Sequence, residues 1–355
     1  MSKAFRELLK KVGSGTHTSE SLTRWEAAEA TRMMLQQEAT PAQIGAFMIA
    51  HRIRRPTGEE LAGMLDAYTE LGPKLQPSNR FQSQVIVLGI PLDGRSRTAP
   101  INPLTALILT ASGIPVIMHG GDRMPTKEGV PLIEIWQALG IDWTKLSLEQ
   151  TQQVFEATGL GFVYIGTHFP EAYGLVPYRD QIGKRPPFAT MELMWCPYAG
   201  DAHIVCGFVH PPTENMFREA LALRGVQRLT TVKGLEGSCD LPRDRTAIIG
   251  IVKPEIEFDR LLLAHADYGF SSKNPPLEPT PELAQQMQSV LQGTPSELME
   301  SALWNGGFYL WNAGVCENMN SGIEAAKEIL TSGKAAQKLQ EIRDAVNSYQ
   351  LVYQA

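Results

Sequence analysis

The residues best suited to chemistry lie in two polar loops, each of which follows an apolar segment. The first loop holds Asp93, Gly94, Arg95 and Thr98 and comes after residues 85–90, and the second begins with His119-Gly120 after residues 114–118. Glycine lets backbone amides come close to a phosphate group, and arginine adds positive charge. The two loops therefore predict a site for phosphate or another anion.

Further polar residues extend this candidate site. Arg123, Thr126 and Lys127 continue the second loop, and Glu236 and Asp240 follow later in "GLEGSCD". Carboxylate oxygens are the ligands that magnesium prefers, so the acidic pair is a candidate metal site. A structural role stays open for each group, because Asp before Gly is common in turns, arginine is common on exposed loops, and a histidine at a strand end is often buried.

The elements that would position these loops follow from the pattern of the chain. Apolar strands alternate with helical segments from residue 85 onward, which indicates a mostly parallel, helix-covered sheet followed by C-terminal helices. The first 72 residues read as helices with capping boxes at Thr23, Thr40 and Thr57. The predicted fold class is α/β with a separate helical domain. In the segment 43–53, the apolar residues at helical spacing are predicted to face the core; they are Ile44, Phe47, Met48 and Ile53.

The domain boundaries follow from a Pro- and Gly-rich linker at residues 72–79. We expect a small all-α domain over residues 1–75, to which helices from the C-terminal part add, and an α/β domain over residues 80–355. A ligand cleft is expected between them.

Composition sets outer limits on the function. The chain has 355 residues, a net charge of −6, 43% hydrophobic and 20% charged residues, all typical of a globular protein with core enough for two domains. No apolar run approaches the roughly 18 residues of a membrane span, and the N-terminus lacks a signal peptide's apolar region, so we expect a cytoplasmic protein without membrane contact. The four cysteines form no Cys-x-x-Cys pair, which argues against a zinc site. The net negative charge argues against a dedicated DNA binder, although it is compatible with a local basic face.

Three stretches of the chain resemble a known family. They are "LTRWEAAEATRMMLQQEATPAQIGAFMIAHRIRRPTGEELAGML" at residues 22–65, "ADYGF" at 266–270 and "NGGFYLWNAGVCENMNSGIEAAKEILTSGKAAQKLQEI" at 305–342. They are similar to the anthranilate phosphoribosyltransferases and their nucleoside phosphorylase relatives. The resemblance implies transfer of a pentosyl group from phosphoribosyl pyrophosphate (PRPP) to an aromatic amine, with magnesium as cofactor, in a homodimer.

The site motifs of that family are altered in this chain. The family's donor loop reads G-T-G-G-D-G, and residues 89–94 keep Gly89, Asp93 and Gly94 but place proline and leucine at the inner glycines. Proline also removes an amide donor. By the same resemblance, Thr98 matches a family threonine, and Asn102 stands where the family has a phosphate-binding serine.

The later motifs are altered as well. The family's K-H-G-N-R loop keeps only His119 and Gly120, with Arg123 displaced by one position from the family's arginine. Its acidic pair becomes Cys239 and Asp240, with Glu236 as a nearby replacement. The resemblance implies that Arg179 binds the carboxylate of the acceptor, since a guanidinium can donate two parallel hydrogen bonds to a carboxylate.

Two functions stay open at this point, together with a third reading, a dimeric scaffold that binds no ligand. The first is pentosyl transfer with a degenerate donor site, on a phosphorylated sugar or another anionic small molecule. The second is a non-catalytic homodimer that binds nucleic acid, because the donor loop is also similar to a divergent branch of the family in which some members do so. The basic residues available for such a groove are Arg52, Arg54, Arg95, Arg97, Arg123, Lys127, Arg179, Lys184 and Arg185.

Overall fold

The N-terminal part of the protein is a helical bundle. In the computed structural model, which describes residues 3–15 and 17–351, it consists of four helices: α1 (Lys3–Gly13), α2 (Arg24–Leu35), α3 (Pro41–Arg54) and α4 (Gly58–Leu71). The capping boxes predicted at Thr23, Thr40 and Thr57 are confirmed. Each threonine side chain accepts a hydrogen bond from the amide of the third helical residue, and the glutamate or glutamine side chain at that position accepts one from the threonine amide.

Helix α3 corrects one prediction about the core. Ile44, Phe47 and Met48 are buried as expected, but Ile53 is 77% exposed. The fourth buried position of the helix is His51. Positions 44, 47, 48 and 51 share one helical face, whereas residue 53 comes nine residues after Ile44 and points to the opposite side.

A seven-stranded sheet forms the centre of the rest of the molecule. Its strands are β1 (Val85–Leu88), β2 (Val116–Gly120), β3 (Leu160–Tyr164), β4 (Ala202–Gly207), β5 (Leu229–Val232), β6 (Ala247–Lys253) and β7 (Ile256–Leu263). The strand order is β3-β2-β1-β4-β5-β6-β7. The first five strands in this order are parallel, and β6 and β7 are antiparallel to their neighbours. The predicted mostly parallel sheet is confirmed.

Helices cover both faces of this sheet. They are α5 (Asn102–Ala111), α6 (Leu132–Ala138), α7 (Leu148–Thr158), α8 (Ile165–His168), α9 (Pro170–Tyr173), α10 (Val176–Ile182), α11 (Phe188–Met191), α12 (Pro211–Leu223), α13 (Thr280–Leu291), α14 (Glu297–Asn312), α15 (Met319–Thr331) and α16 (Lys334–Leu351). The C-terminal helices α13, α14 and α16 pack against α5, α6 and α7, whereas α10 and α12 pack against α3 and α4 of the bundle.

The side-chain alternation of β1 explains how the two layers share the sheet. Val85 and Val87 belong to the apolar core that includes the N-terminal bundle, while Ile86 and Leu88 belong to the core formed with α5 and the C-terminal helices. Both faces of a parallel strand are buried in this way, which is why its sequence is apolar throughout. In the described part of the chain, no helix has the length and apolar character needed to cross a membrane.

Candidate functional site

The loop that follows β1 is held close to the sheet. The amide of Gly89 donates to the carbonyl of Val205 at 2.7 Å, and a Cβ at position 89 would lie 2.1 Å from the carbonyl oxygen of Leu193. Glycine is therefore required here. The chain then turns, with the amide of Gly94 donating to the carbonyl of Pro91 at 3.0 Å and a φ of +71° at Gly94. The side chain of Leu92 is buried in the core of the bundle side.

The loop after β2 braces the first loop. The backbones of Arg95 and Val130 exchange two hydrogen bonds of 2.9 and 2.7 Å. Gly94 and Gly129 meet without side chains, since a Cβ on Gly94 would lie 2.6 Å from the carbonyl of Gly129. The two polar loops of the sequence are thus brought together, as parallel strands that end at one edge of a sheet require.

Three consecutive amides of the first loop converge on one carboxylate. The N–H groups of Ser96, Arg97 and Thr98, which we call the amide cradle, each donate to Glu236 at 3.0 Å. The hydroxyl groups of Ser96 and Thr98 donate to the same carboxylate at 3.0 and 3.1 Å. Successive amides of this kind form anion sites in proteins. In this protein the anion is a side chain of the chain itself.

Two cations complete the surroundings of Glu236. The Lys127 ammonium lies 3.0 Å from one carboxylate oxygen, and the Arg95 Nε lies 3.5 Å from the other. Burial alone would raise the pKa of Glu236, but the hydrogen bond from Lys127, the positive charges of Lys127 and Arg95 and the hydrogen bond from the Thr98 amide outweigh it and hold that pKa well below its usual value. Glu236 also has a φ of +53°, a conformation that costs a residue with a side chain about 1 kcal/mol.

Asp240 lies on the other side of the Arg95 guanidinium. Arg95 Nη1 donates to Asp240 Oδ2 at 2.7 Å and to the Ser238 hydroxyl at 2.7 Å, and the Ile101 amide donates to the same Asp240 oxygen at 3.0 Å. Arg95 and Asp240 are 3% and 1% exposed. Burial raises the pKa of Asp240 despite the arginine. A guanidinium therefore lies between the two carboxylates that the sequence offered to magnesium.

The acidic pair does not fit a magnesium ion in this arrangement. Both Glu236 oxygens accept hydrogen bonds, one Asp240 oxygen does so, and the other Asp240 oxygen is buried. Magnesium requires several oxygen ligands around one point and open positions for water. Within residues 3–15 and 17–351, no three His, Cys, Asp or Glu side chains are grouped so that they could hold a metal.

Cys239 and Asn102 form a second buried contact beneath the loop. The Asn102 amide lies 3.1 Å from Cys239 Sγ and donates to it, and both residues are buried. Burial raises the pKa of the Cys239 thiol well above its usual value. The thiol is therefore neutral, and Asn102 is directed to it.

His119 and Gly120 lie at the end of β2. His119 is completely buried, with its ring centre 5.0 Å from that of Trp195. Burial lowers the His119 pKa to about 4, because it disfavours the imidazolium. A Cβ on Gly120 would lie 2.8 Å from the Phe162 ring. Both residues are thus packed against aromatic side chains and do not contact the amide cradle.

The rest of the second loop separates into two directions. Lys127 points to the first loop and donates to the Gly94 carbonyl at 2.6 Å as well as contacting Glu236. Arg123 points away and forms a two-pronged ion pair with Glu134 at 2.7 and 2.8 Å. Thr126 is exposed and has a φ of +79°. Of these three residues, only Lys127 contacts the amide cradle region.

Arg179, which the resemblance assigned to acceptor binding, already holds a protein carboxylate. It is 2% exposed and pairs with Glu192, which also accepts a hydrogen bond from the Tyr68 hydroxyl at 3.3 Å. Asp93, also buried, pairs with Arg185. These two ion pairs occupy groups that the sequence offered to a ligand.

A cleft of about 1170 Å³ opens beside the amide cradle, between the helical bundle and the sheet. Glu236 and Pro91 lie in its lining. Three segments in which a basic residue precedes proline also line it, and we call them the cleft wall: Arg55-Pro56, Arg185-Pro186-Pro187 and His210-Pro211-Pro212. Arg52 joins the wall and donates to the Arg185 carbonyl at 2.7 Å, which links α3 to the opposite side.

Most of the cations proposed for a nucleic-acid groove are paired with carboxylates. The pairs are Arg54–Glu60, Arg95–Asp240, Arg123–Glu134, Lys127–Glu236, Arg179–Glu192 and Arg185–Asp93. The arginines that line the cleft, Arg52, Arg55 and Arg185, all lie in the cleft wall.

Several residues of the site carried no clear signal in the sequence. Ser96, Ser238 and the amide of Ile101 contact the charged groups but have no distinctive spacing. Arg55 and His210 could have been found, because a basic residue precedes proline in each segment of the cleft wall. The pairing of Glu236 with Ser96 spans 140 positions and has no local signal.

Comparisons with protein families match nearly the whole chain. The helical bundle domain of a glycosyl transferase family matches residues 6–72, and the α/β domain of a glycosyl transferase family matches residues 94–336. These ranges correspond to the bundle and to the region built around the sheet.

Curated relatives are similar over most of their length. The anthranilate phosphoribosyltransferase of Chromobacterium violaceum is 26% identical over 316 residues, which cover 88% of this chain and 90% of that protein. The same enzyme of Acetivibrio thermocellus is 26% identical over 345 residues, which cover 96% of this chain and 98% of that protein.

Solved structures share the fold. The anthranilate phosphoribosyltransferase of Thermus thermophilus superposes with a TM-score of 0.81 at 22% identity, over 98% of this chain and 100% of that one. The enzyme of Saccharomyces cerevisiae in complex with PRPP and Mg superposes with a TM-score of 0.83 at 16% identity, over 98% and 99%. The two matching domains, the collinear relatives and the shared fold lead to one conclusion: the chain belongs to the glycosyl transferase family that includes the anthranilate phosphoribosyltransferases.

Proposed function

We propose that this family member does not catalyse phosphoribosyl transfer to anthranilate, and that a phosphate-bearing ligand, such as a phosphorylated sugar, binds at the exposed cations of the cleft wall instead of in the amide cradle. The observation that supports the proposal is the bonding of Glu236. Three amides, two hydroxyl groups and the Lys127 ammonium, all groups suited to a donor's phosphates, are directed to that carboxylate.

The proposal has an energetic basis. Pentosyl transfer depends on positioning and on stabilising developing charge, and one missing hydrogen-bond donor of that kind costs roughly 3 kcal/mol, or about 10²–10³ in rate. Here several donors and the acidic pair are engaged together. Magnesium accompanies PRPP in the yeast relative, but the groups that would hold it in this chain surround Arg95 instead.

The direct test is the release of pyrophosphate from PRPP in the presence of anthranilate and magnesium. We expect turnover at least about 100-fold below the rate of roughly 1 s⁻¹ at the lower end of typical enzymes. The Chromobacterium violaceum relative, assayed in parallel, serves as the positive control. Turnover by this protein at the rate of that control would overturn the proposal.

The cleft wall supports a second candidate function, the binding of single-stranded nucleic acid. Arg52, Arg55 and Arg185 line an open cleft, and such grooves bind the sugar–phosphate backbone through positive charge. Fluorescence anisotropy with a labelled oligonucleotide over a salt series tests it. We expect log affinity to fall linearly with log salt, and a flat line or no binding would remove this candidate. Homodimerisation and a cytoplasmic location stay predictions of the sequence.

A further inference from the structure

Glu236 contacts its surroundings as a bound anion would. Its two oxygens accept from the amides of Ser96, Arg97 and Thr98 and from two hydroxyl groups, and lie beside Lys127 and Arg95. Amides in a row, hydroxyl groups and two cations make up a phosphate-binding set.

The carboxylate reaches this position at a conformational cost. Glu236 adopts a left-handed backbone conformation, with φ +53° and ψ 25°, in a tight helical turn at Leu235–Gly237. A residue with a side chain persists in that conformation when its surroundings determine it. The hydrogen bonds from the amide cradle to the Glu236 carboxylate hold the residue in this conformation.

The Arg95 guanidinium supplies the positive charge that a cation would otherwise bring. It contacts Asp240 and Glu236 at once and is buried. The charges around the amide cradle are therefore balanced by this chain's own side chains. A phosphate that replaced the Glu236 carboxylate would meet Arg95 and Lys127 directly.

We propose that Glu236 is an internal plug of a phosphate site, and that displacing it opens a site on the cleft that binds a phosphate group without a divalent cation. This inference extends the proposed function, because it names what closes the donor region. The site consists of the amide cradle, Lys127 and Arg95. Glu236 lines the cleft, so a ligand can reach the site from there.

The test compares wild type with Glu236→Ala by calorimetric titration with inorganic phosphate and with pyrophosphate, each with magnesium or with EDTA. Removing the plug raises the fraction of protein that is competent to bind, so we expect affinity at least about tenfold higher than in wild type. For inorganic phosphate we expect the same affinity in magnesium and in EDTA. A preference for pyrophosphate would indicate a diphosphate ligand, and equal affinity a single phosphate group.

A matched control is available in the neighbouring loop. Glu128 also has a left-handed backbone, with φ +52°, and is exposed. Glu128→Ala therefore removes one negative charge at a similar backbone conformation without touching the amide cradle, and it should show no gain. A gain in this control equal to that of Glu236→Ala would reduce the effect to net charge and overturn the inference.

A second variant and a second measurement cover the case in which Glu236→Ala does not fold. Glu236→Gln keeps the shape but replaces one acceptor oxygen with an NH₂ group that faces donors, so a smaller gain is expected. At a given phosphate concentration, the amide resonances of Ser96, Arg97 and Thr98 should move less in wild type than in a folded Glu236 variant. The inference is wrong if folded Glu236 variants bind no better than wild type, if binding requires magnesium, or if the wild-type resonances shift as far as those of a folded Glu236 variant at the same phosphate concentration. Failure of this test leaves the absence of phosphoribosyl transfer untouched, since that is measured on wild type alone.

Discussion

Basic side chains lie beside the amide cradle and in the cleft wall, but they differ in their burial and in what they contact. Around the cradle, Arg95 and Lys127 are directed to Asp240 and Glu236, and Arg95 is 3% exposed. In the cleft wall, Arg52 and Arg55 are exposed, and Arg185 is exposed although it pairs with Asp93. Burying an unpaired charge is costly, so a buried cation takes a partner from the chain, whereas an exposed one is solvated. The region most similar to a donor site is thus self-contained, and the open region is available to a ligand.

The largest expected effect on stability comes from removing the buried guanidinium of Arg95. Arg95→Met leaves Asp240 buried without its main partner, and removing one partner of a buried ion pair costs about 3–5 kcal/mol. We expect that loss in the free energy of unfolding, measured by urea denaturation. Arg97→Met is the control, because Arg97 is exposed, and it should change stability by less than about 0.5 kcal/mol. Equal effects of the two variants would contradict the comparison.

A pH titration extends the comparison to His119, a buried group without a charged partner among the residues that the structure describes. His119 has a pKa of about 4 in the folded protein, against about 6.5 when unfolded. The unfolded chain therefore binds more protons between these values, so stability is full above about pH 6.5 and falls as the pH is lowered toward 4. His119 accounts for a loss on the order of 3 kcal/mol.

His119→Phe should reduce that loss, as followed by urea denaturation at pH 7, 5.5 and 4. Part of the dependence will persist, because burial also lowers the pKa of His203, to about 3. If His119→Phe lost as much stability on acidification as wild type, a buried neutral His119 would be ruled out.

The smallest effect on stability is expected in the cleft wall. Arg55 is exposed and lines the cleft, so Arg55→Ala should change the free energy of unfolding by less than about 0.5 kcal/mol. The same variant should weaken oligonucleotide binding and lower the slope of log affinity against log salt by about 1. Arg123→Ala is the control for ligand binding, since Arg123 pairs with Glu134 away from the cleft. Weaker binding in Arg123→Ala than in Arg55→Ala would place the ligand elsewhere.

Much of the fold could be predicted because its signals are local. Threonine at positions 23, 40 and 57 marks helix starts through contacts three residues away. The apolar strands and the helices between them follow from the same short-range pattern. Ile53 shows the limit of this method: it is apolar, but it lies on the face of α3 opposite to Ile44 and lines the cleft.

The site could be predicted in its composition but not in its bonding. The sequence predicts ligand or metal contacts at five residues that lie together in the structure: Arg95, Thr98, Lys127, Glu236 and Asp240. In the structure these five residues form hydrogen bonds and ion pairs with one another. The same holds for Arg179 and Asp93: each is predicted to contact a ligand, and each forms an ion pair with another side chain of the protein.

By itself, the sequence determined the helical bundle, the mostly parallel sheet and the two polar loops, because each depends on residues a few positions apart. Only the tertiary structure decided that Glu236 fills the amide cradle, since Ser96 lies in the loop after β1, Glu236 lies in the turn after β5, and the two residues are 140 positions apart. Parallel strands end at the same edge of the sheet and so bring such loops together. Which charge then pairs with which depends on distances and burial that no local pattern contains.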